Sequence, residues 1–245
     1  MESLQDRQPV RPEPAGIGQA LTGRIPFYGY IHSEQFTNRT CDELSDRSIR
    51  LFTKGGFAMS GEMVKAHDFP SGKRFEVVVN DLLLEPTDAI VNAANGDLAH
   101  GGGVAAAISR AAGPRLDEEG RRIVREGGRI PVGGAVVTTA GNLPFQGVIH
   151  AVGPRMGEGD EEEKIRKALV TAFMSAHERG WRSVSFPGIS SGIFAVPHDI
   201  CARAYLRAVG EFWADLPGSS VSLIRLVLFD GPLLDAVKGA FATIE

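Results

Sequence analysis

From Phe75 to the end of the chain, short runs of β-branched and aliphatic residues alternate with longer segments whose hydrophobic residues recur at helical spacing. The short runs are nearly continuously apolar, which is typical of strands covered on both faces. Strands that alternate with helices favour a three-layer α/β/α domain, here over residues 74–245. The predicted strands are FEVVV, AIVNAA, AVVTT, GVIHAV, SVSF and SLIRLVLF, and the predicted helices cover residues 104–112, 115–126, 160–179, 198–215 and 232–243.

The first part of the chain has a different composition. Residues 1–22 are rich in Pro, Gln, Arg and Gly and have no apolar period, so we expect a disordered tail there. Residues 23–73 contain scattered aromatic residues and a possible hairpin, SIRLFTKGGFAM, at residues 48–59. We therefore expect an extension that packs on the main domain, although its sequence does not indicate its function.

Composition argues against several classes of partner. The net charge of −4 provides no overall basic field to recruit DNA or RNA. The first residues carry charges and prolines where a signal peptide needs an apolar stretch, and no later run reaches the roughly 18 apolar residues of a membrane span. We expect a cytoplasmic protein with no membrane or direct nucleic-acid partner. Cys41 and Cys201 lie outside any CxxC or Cys/His cluster, so we expect two free thiols and no metal.

The stretch NAANGDLAHGGGV, from Asn92 to Val104, leads from the end of a predicted strand into the start of a predicted helix. Ligands bind at such positions in α/β sheets. Three glycines, Gly101 to Gly103, let the backbone approach a ligand closely, and the helix adds the positive end of its dipole. This loop suits a diphosphate. A glycine triplet alone can also be a tight turn, but two asparagines three residues apart, Asn92 and Asn95, are harder to explain structurally.

A second glycine loop, PGISSGIF, covers residues 187–194. It follows the predicted strand SVSF and precedes the helix that starts near Pro197, so it has the same strand-to-helix position as the first loop. Two such loops could hold a phosphate group from both sides, and Ser190 and Ser191 would add hydroxyl or amide donors. The alternative is an ordinary connection between a strand and a helix.

Four motifs occur in the order and approximate spacing of macrodomains: NAANGDLAHGGGVAAAI, IHAVGP, GISSGIF and LVLFDG. Over residues 74–245 the chain resembles this ADP-ribose-binding family. It looks closest to viral macrodomains and to the first macrodomain of the macrodomain-bearing PARPs, which pair a similar His-Gly-Gly-Gly-Val or related loop with a similar Gly-Ile-Phe loop. The resemblance implies a mixed, mostly parallel central sheet.

The resemblance also implies a role for individual residues. Asp81 would accept the adenine amino group and Phe229 would line the adenine pocket, although an Asp at a strand end is more often a turn former or helix cap and a Phe there is usually core. The diphosphate would lie between the glycine loops, held by amides and helix ends without Lys or Arg. The implied binding set is Asp81, Leu82, Ala93, Asn95, Gly101, Gly102, Gly103, Val104, Ser190, Ser191, Gly192, Ile193, Phe194 and Phe229.

The resemblance favours an enzyme, a mono-ADP-ribosyl hydrolase that removes ADP-ribose from Asp or Glu side chains without a metal or cofactor. Asn95 would orient the distal ribose, Gly102 would hold the diphosphate and Phe194 would fix the ribose. His100 either polarises the ribose or is a packing residue. MacroD-type enzymes carry an Asp where this chain has Ala105, but viral enzymes share the Val-Ala pair, so turnover is not excluded.

Two alternatives use the same predicted pocket. One is a non-catalytic reader of mono-ADP-ribosylated proteins, with the N-terminal 70 residues supplying specificity. The other is a hydrolase of ADP-ribose 1″-phosphate or O-acetyl-ADP-ribose. Outside the pocket, we expect His150 to be a satisfied core histidine and the acidic run over residues 160–163 to be the charged first turn of a helix.

Overall fold

The computed structural model describes residues 61–70 and 72–244. These residues form a seven-stranded β-sheet flanked by helices. The predicted tail, the predicted hairpin at residues 48–59 and Cys41 lie outside the described residues. The strands and helices are, in chain order, β1 (Glu62–Phe69), β2 (Lys73–Val79), β3 (Ala89–Ala94), α1 (Gly103–Ala112), α2 (Pro114–Gly127), β4 (Ala135–Thr138), β5 (Gly147–Val152), α3 (Glu161–Glu178), β6 (Ser183–Phe186), α4 (His198–Asp215), β7 (Leu223–Leu228) and α5 (Pro232–Ala240).

The strand order is β1-β2-β7-β6-β3-β5-β4. The five inner strands run parallel, and the two edge strands, β1 and β4, are antiparallel to their neighbours. This arrangement confirms the predicted mixed, mostly parallel α/β fold. The strand β1 was missed by the sequence analysis, which placed its residues in the N-terminal extension. Half of its residues, EMVKAHDF, are polar or charged, which an edge strand tolerates because it is covered on fewer sides than an inner one.

Alternate residues of the inner strands enter two separate cores. In β2, Phe75 and Val77 belong to a hydrophobic cluster that includes residues of α3, α4 and α5, whereas Val78 belongs to a cluster that includes residues of α1 and α2. The helices therefore cover both faces of the sheet. The predicted charged first turn of a helix is found at the start of α3, where Glu161, Glu162 and Glu163 occupy the first turn and Asp160 precedes it.

The structure also describes one of the two cysteines and the length and hydropathy of the helices. Cys201 is a free thiol on α4, and burial raises its pKa to about 11. In the part of the chain that the structure describes, no helix is both long and apolar enough to cross a membrane.

A buried carboxylate joins three elements next to the C-terminal end of β2. Glu85 is 4% exposed and follows a short 3-10 turn, Leu82–Leu84. Its Oε1 accepts a hydrogen bond from Asn80 Nδ2 at 2.6 Å, and its Oε2 accepts one from Ser185 Oγ at 2.9 Å. The Oε2 atom also lies 2.7 Å from Nε of Arg225 on β7. Glu85 therefore fixes the turn after β2 to β6 and β7.

We predict that Glu85→Ala lowers the free energy of unfolding by about 3 kcal/mol, because the change leaves the buried side chains of Asn80 and Ser185 without their acceptor and removes one of the two carboxylates that pair with the largely buried Arg225. Urea denaturation measures the change. The matched control is Glu118→Ala, which removes an exposed carboxylate from α2 and should cost less than about 0.5 kcal/mol. Equal losses in the two variants would contradict the structural role of Glu85.

Candidate functional site

The two glycine loops enclose a cavity at the C-terminal edge of the sheet. They follow β3 and β6, which are neighbouring parallel strands, so both loops leave the sheet on the same side. The cavity has a volume of about 290 Å³. It is lined by Ala93, Ala94, Asn95, Ala99, Gly101, Gly102, Gly103, Val104, Ala105, Gly153, Arg155, Gly188, Ile189, Ser190, Gly192, Ile193 and Phe194.

Asn95 stabilises the first loop as well as lining the cavity. Its Oδ1 accepts hydrogen bonds from the backbone N–H groups of Asp97 and Ala99, both at 3.1 Å. Its Nδ2 donates to the carbonyl of Ala99 at 2.7 Å. An amide nitrogen carries two hydrogens, so one N–H of Asn95 is left for a ligand. A ligand contact of Asn95 was expected from the sequence, whereas its hydrogen bonds within the loop were not.

The glycine triplet forms the N-terminus of α1. Gly102 is the N-cap and provides no side-chain cap, so the first N–H groups of the helix can meet an anion. Gly103 has a φ of +58°, which glycine adopts without strain. A Cβ on Gly102 would lie 3.2 Å from Cδ1 of Ile193, which shows that the two loops nearly touch there. The cavity is closed at this point by backbone and one aliphatic side chain.

The second loop is held in a tight conformation. Ser190 has a φ of +65° and is 5% exposed, and its Oγ has no hydrogen-bond partner among the described residues. A Cβ on Gly153, just after β5, would lie 2.2 Å from that Oγ, so only glycine permits this approach. From α4, the buried Tyr205 donates a hydrogen bond to the carbonyl of Ile189 at 2.6 Å. Burial raises the pKa of Tyr205, which keeps it a neutral donor.

Asp81 and Phe229 lie outside the cavity but at the same edge of the sheet. Val79 of β2 pairs with Leu228 of β7, so Asp81 and Phe229 follow the ends of two neighbouring strands. The Asp81 carboxylate accepts a hydrogen bond from the Leu83 N–H at 2.9 Å and caps the 3-10 turn. Phe229 is 71% exposed, so its ring is available to a ligand. A ligand that extended from the cavity toward β2 would reach both side chains.

Three more members of the predicted set also lie outside the cavity lining. Leu82 is buried in the core between the sheet and α1, and Ser191 is only partly exposed in the second loop. The ring of His100 lies against the ring of His150, with centroids 5.4 Å apart and planes tilted by 31°, and its side chain is 5% exposed. This placement favours the packing interpretation of His100 over the polarising one.

The two histidines belong to a buried polar chain behind the first loop. Nδ2 of Asn92 lies 3.0 Å from Nδ1 of His150 and 3.4 Å from Nδ1 of His100. Nε2 of His150 lies 2.8 Å from Oγ1 of Thr138. Burial lowers the pKa of His150 to about 3, and it also lowers that of His100 against the opposing effect of Asp117. Both rings are therefore neutral near pH 7 and anchor the loop rather than carry charge.

Seven lining residues were not predicted from the sequence, and six of them are small or aliphatic: Ala94, Ala99, Ala105, Gly153, Gly188 and Ile189. The seventh is Arg155, whose guanidinium carbon lies 4.4 Å from the centroid of the Phe194 ring. Its position directly after the IHAVGP motif, at the end of β5, is the sequence signal that could have identified it. Within the described ranges, no group of three or more His, Cys, Asp or Glu side chains could hold a metal ion.

Comparison with known proteins identifies the family. A family model described as Macro domain matches residues 91–205. A macro domain-containing protein of Caldanaerobacter subterraneus is 39% identical over 175 residues, which cover 71% of this chain and 98% of that protein. This chain belongs to the macro domain family. The macrodomain of Oceanobacillus iheyensis with ADP superposes with a TM-score of 0.68 and 31% identity, over 75% of this chain and 97% of that one.

Other relatives give more specific names. An O-acetyl-ADP-ribose deacetylase of Escherichia fergusonii is 42% identical over 141 residues, 57% of this chain and 80% of that protein. A Trypanosoma brucei macrodomain in complex with ADP-ribose has a TM-score of 0.60 and 26% identity, over 68% of each chain. An uncharacterized Thermotoga maritima protein is 42% identical over 193 residues, 77% of this chain, but the chain spans only 32% of its length. A particular closeness to viral or PARP macrodomains stays a prediction.

We predict that Gly192→Val in this macrodomain abolishes binding of ADP-ribose, the ligand that the resemblance implies, without unfolding the domain. Gly192 lines the cavity and its φ is not in the left-handed region, and a Cβ there would meet no atom within 4 Å. The protein therefore tolerates the valine side chain, but this side chain occupies space in the cavity that the ligand would need. Calorimetric titration and a thermal melt measure the two effects.

The matched control is Gly218→Val. Gly218 also has open space around its missing Cβ and a φ outside the left-handed region, but it does not line the cavity. This variant should bind as the wild type does. Near wild-type affinity in a folded Gly192→Val variant would mean that the second glycine loop is only a turn.

Proposed function

We propose that this macrodomain binds ADP-ribose and hydrolyses the ester that links it to glutamate or aspartate side chains of proteins. The order of strands at the C-terminal edge of the sheet carries this proposal. Asp81 and Phe229 follow β2 and β7, the glycine loops follow β6 and β3, and Arg155 follows β5. These positions form a row that suits adenine, diphosphate and distal ribose in turn.

The diphosphate position is built from neutral groups. The N-terminus of α1 and the backbone of the second loop supply N–H donors, and the unpartnered Oγ of Ser190 adds a hydroxyl. Aligned amides and a helix dipole favour an anion without a fixed cation nearby. The binding of a dianionic ligand by an acidic protein is explained in this way, with affinity that depends only weakly on salt.

The proposed reaction is the attack of water on C1″ of the distal ribose. A bond forms between the water oxygen and C1″, the bond from C1″ to the ester oxygen breaks, and its electron pair leaves with the carboxylate. The released proton passes to solvent, with a substrate phosphate helping to activate the water. The cavity lining within the described residues contains no Asp, Glu or His, and Ala105 stands where MacroD-type enzymes carry an Asp. The residues would act by positioning, so we expect modest rates.

A second candidate substrate is O-acetyl-ADP-ribose. The observation that favours it is the similarity to proteins named O-acetyl-ADP-ribose deacetylase from Escherichia fergusonii and Citrobacter rodentium, each 42% identical over 141 residues. Both substrates carry an acyl ester on the distal ribose, so they would use the same cavity. The remaining alternative, a reader that binds modified proteins without cleaving them, needs the same binding residues but no turnover.

We predict that ADP-ribose binds with micromolar affinity and that Asp81→Ala weakens it by about 1–3 kcal/mol, which is roughly a 5- to 150-fold rise in Kd. The reason is the loss of a charged partner for the adenine amino group. Calorimetry with ribose 5-phosphate, which lacks adenine, provides the control ligand. An equal loss of affinity for both ligands would show that Asp81 acts only through the 3-10 turn that it caps.

We predict that the wild type releases ADP-ribose from a glutamate-modified peptide and that Asn95→Ala slows the release at least about tenfold. An amide that orients the ribose matters most when the ring distorts toward the transition state, so the Kd for ADP-ribose should change less than the rate. A thermal melt reports the cost of the lost loop hydrogen bonds. Saturable binding without release in the wild type would support the reader instead, and unchanged release by Asn95→Ala would remove Asn95 from the mechanism.

A further inference from the structure

We propose that Arg155 determines the substrate specificity of this cavity by binding the oxyanion that leaves C1″ of ADP-ribose. This inference rests on the proposed function and assigns a residue to one part of it. Among the described residues that line the cavity, Arg155 alone carries a charge, because all the others are small, aliphatic, aromatic or neutral polar residues. A single cation in a neutral cavity indicates a defined place for one negative charge that the amide groups do not serve.

The strand order locates Arg155 at one end of the proposed site. It lies just after β5, whereas the adenine position is next to β2 and β7. From β7 to β5 the sheet advances by three strand spacings, or about 14 Å. The two glycine loops that suit the diphosphate follow the strands in between. Arg155 is thus placed at the end that receives the distal ribose and whatever group the ribose carries.

The side chain is presented to a ligand by its neighbour in the second loop. The guanidinium of Arg155 lies over the ring of Phe194, a cation–π arrangement that orients its plane. The loops that carry the two residues are joined by a hydrogen bond from the Met156 N–H to the carbonyl of Phe194 at 2.8 Å. Contact with the ring uses none of the N–H donors of the guanidinium, so they are available to a ligand.

No acidic side chain competes for these donors in the described part of the chain. Several other arginines near the surface have such partners, for example Arg129 with Asp97 and Arg203 with Glu162, whereas Arg155, like the exposed Arg121, forms no ion pair with a described residue. Arg155 is exposed and faces the cavity, so an incoming anion would not have to displace a carboxylate.

The chemistry of the reaction explains why a cation belongs at this end. When the bond between C1″ and the ester oxygen breaks, negative charge develops on the leaving oxygen, whether the group is a carboxylate or a phosphate. A guanidinium can bind two oxygens of either anion with parallel hydrogen bonds. The interaction strengthens as the bond breaks, so it lowers the barrier more than it stabilises the bound substrate. Free ADP-ribose has only a hydroxyl at C1″ and gains little from Arg155.

The test compares Arg155→Gln and Arg155→Lys with the wild-type protein. With a glutamate-linked ADP-ribosyl peptide, Arg155→Gln should lower kcat/KM at least about tenfold. Arg155→Lys should restore part of the rate, because lysine keeps the charge but not the two-pronged geometry. The matched control is Arg121→Gln, which removes an exposed arginine from α2 with the same change in net charge and should leave the rate unchanged.

Binding provides a second readout that does not require turnover. The Kd for ADP-ribose should change by less than about threefold in Arg155→Gln, whereas any preference of the wild type for ADP-ribose 1″-phosphate over ADP-ribose should be lost. If the wild type cleaves neither the peptide nor the 1″-phosphate, the proposed function fails, and the lost preference in calorimetry still supports the anion site. Cleavage of both substrates would show that the site accepts either a carboxylate or a phosphate at C1″, and cleavage of one would show which of the two it accepts.

Two results would overturn the assignment. If Arg155→Gln weakened ADP-ribose as much as ADP-ribose 1″-phosphate, Arg155 would serve the diphosphate and not the leaving group. If neither the rate nor the preference changed, the stack on Phe194 would be a surface feature without a ligand.

Discussion

The parallel pairing of β3 with β6 is the constraint on which the site depends. Ala89 pairs with Val184 and Ile90 with Ser185, so the two strands end together and their glycine loops leave the sheet side by side. These strands are separated by almost a hundred residues, and neither loop could enclose a cavity alone. The strand order places the ends of β2 and β7 on one side of the loops and the end of β5 on the other. The residues that we propose to bind the ligand therefore lie in a row because of the sheet topology.

Close approach of backbone segments governs the shape of the cavity. Gly153 lets the second loop reach the end of β5, and Gly102 lets the first loop meet Ile193. Behind the first loop, two neutral histidines and Asn92 fill the space with a polar chain instead of a charge. Because no carboxylate or histidinium lines the cavity among the described residues, the amide dipoles act on an anionic ligand without competition from a fixed negative charge.

The strands, helices and loops that depend on a local sequence pattern could be predicted from the sequence. The apolar runs and the helical periods identified six strands and five helices within a few residues of their bounds, and the two glycine loops were placed at strand ends. The strand β1 was not predicted because polar residues interrupt its apolar ones and leave no apolar run, although β2 provides it with a partner. The placement of His100 behind the loop and of Arg155 over Phe194 depends on which strands are neighbours. That information is contained in long-range contacts and not in any short segment.

The absence of an acidic group from the described cavity lining bears on which bonds the site can break. An alkoxide released from a serine side chain is strongly basic and needs a proton from a general acid as it leaves. A carboxylate has a conjugate acid with a pKa of about 4 and leaves without protonation. A cavity that offers neutral donors and one guanidinium can stabilise a departing anion, but it has no proton to give. This chemistry favours esters of carboxylic or phosphoric acids over serine glycosides, and it joins the neutral lining and the position of Arg155 in one mechanism.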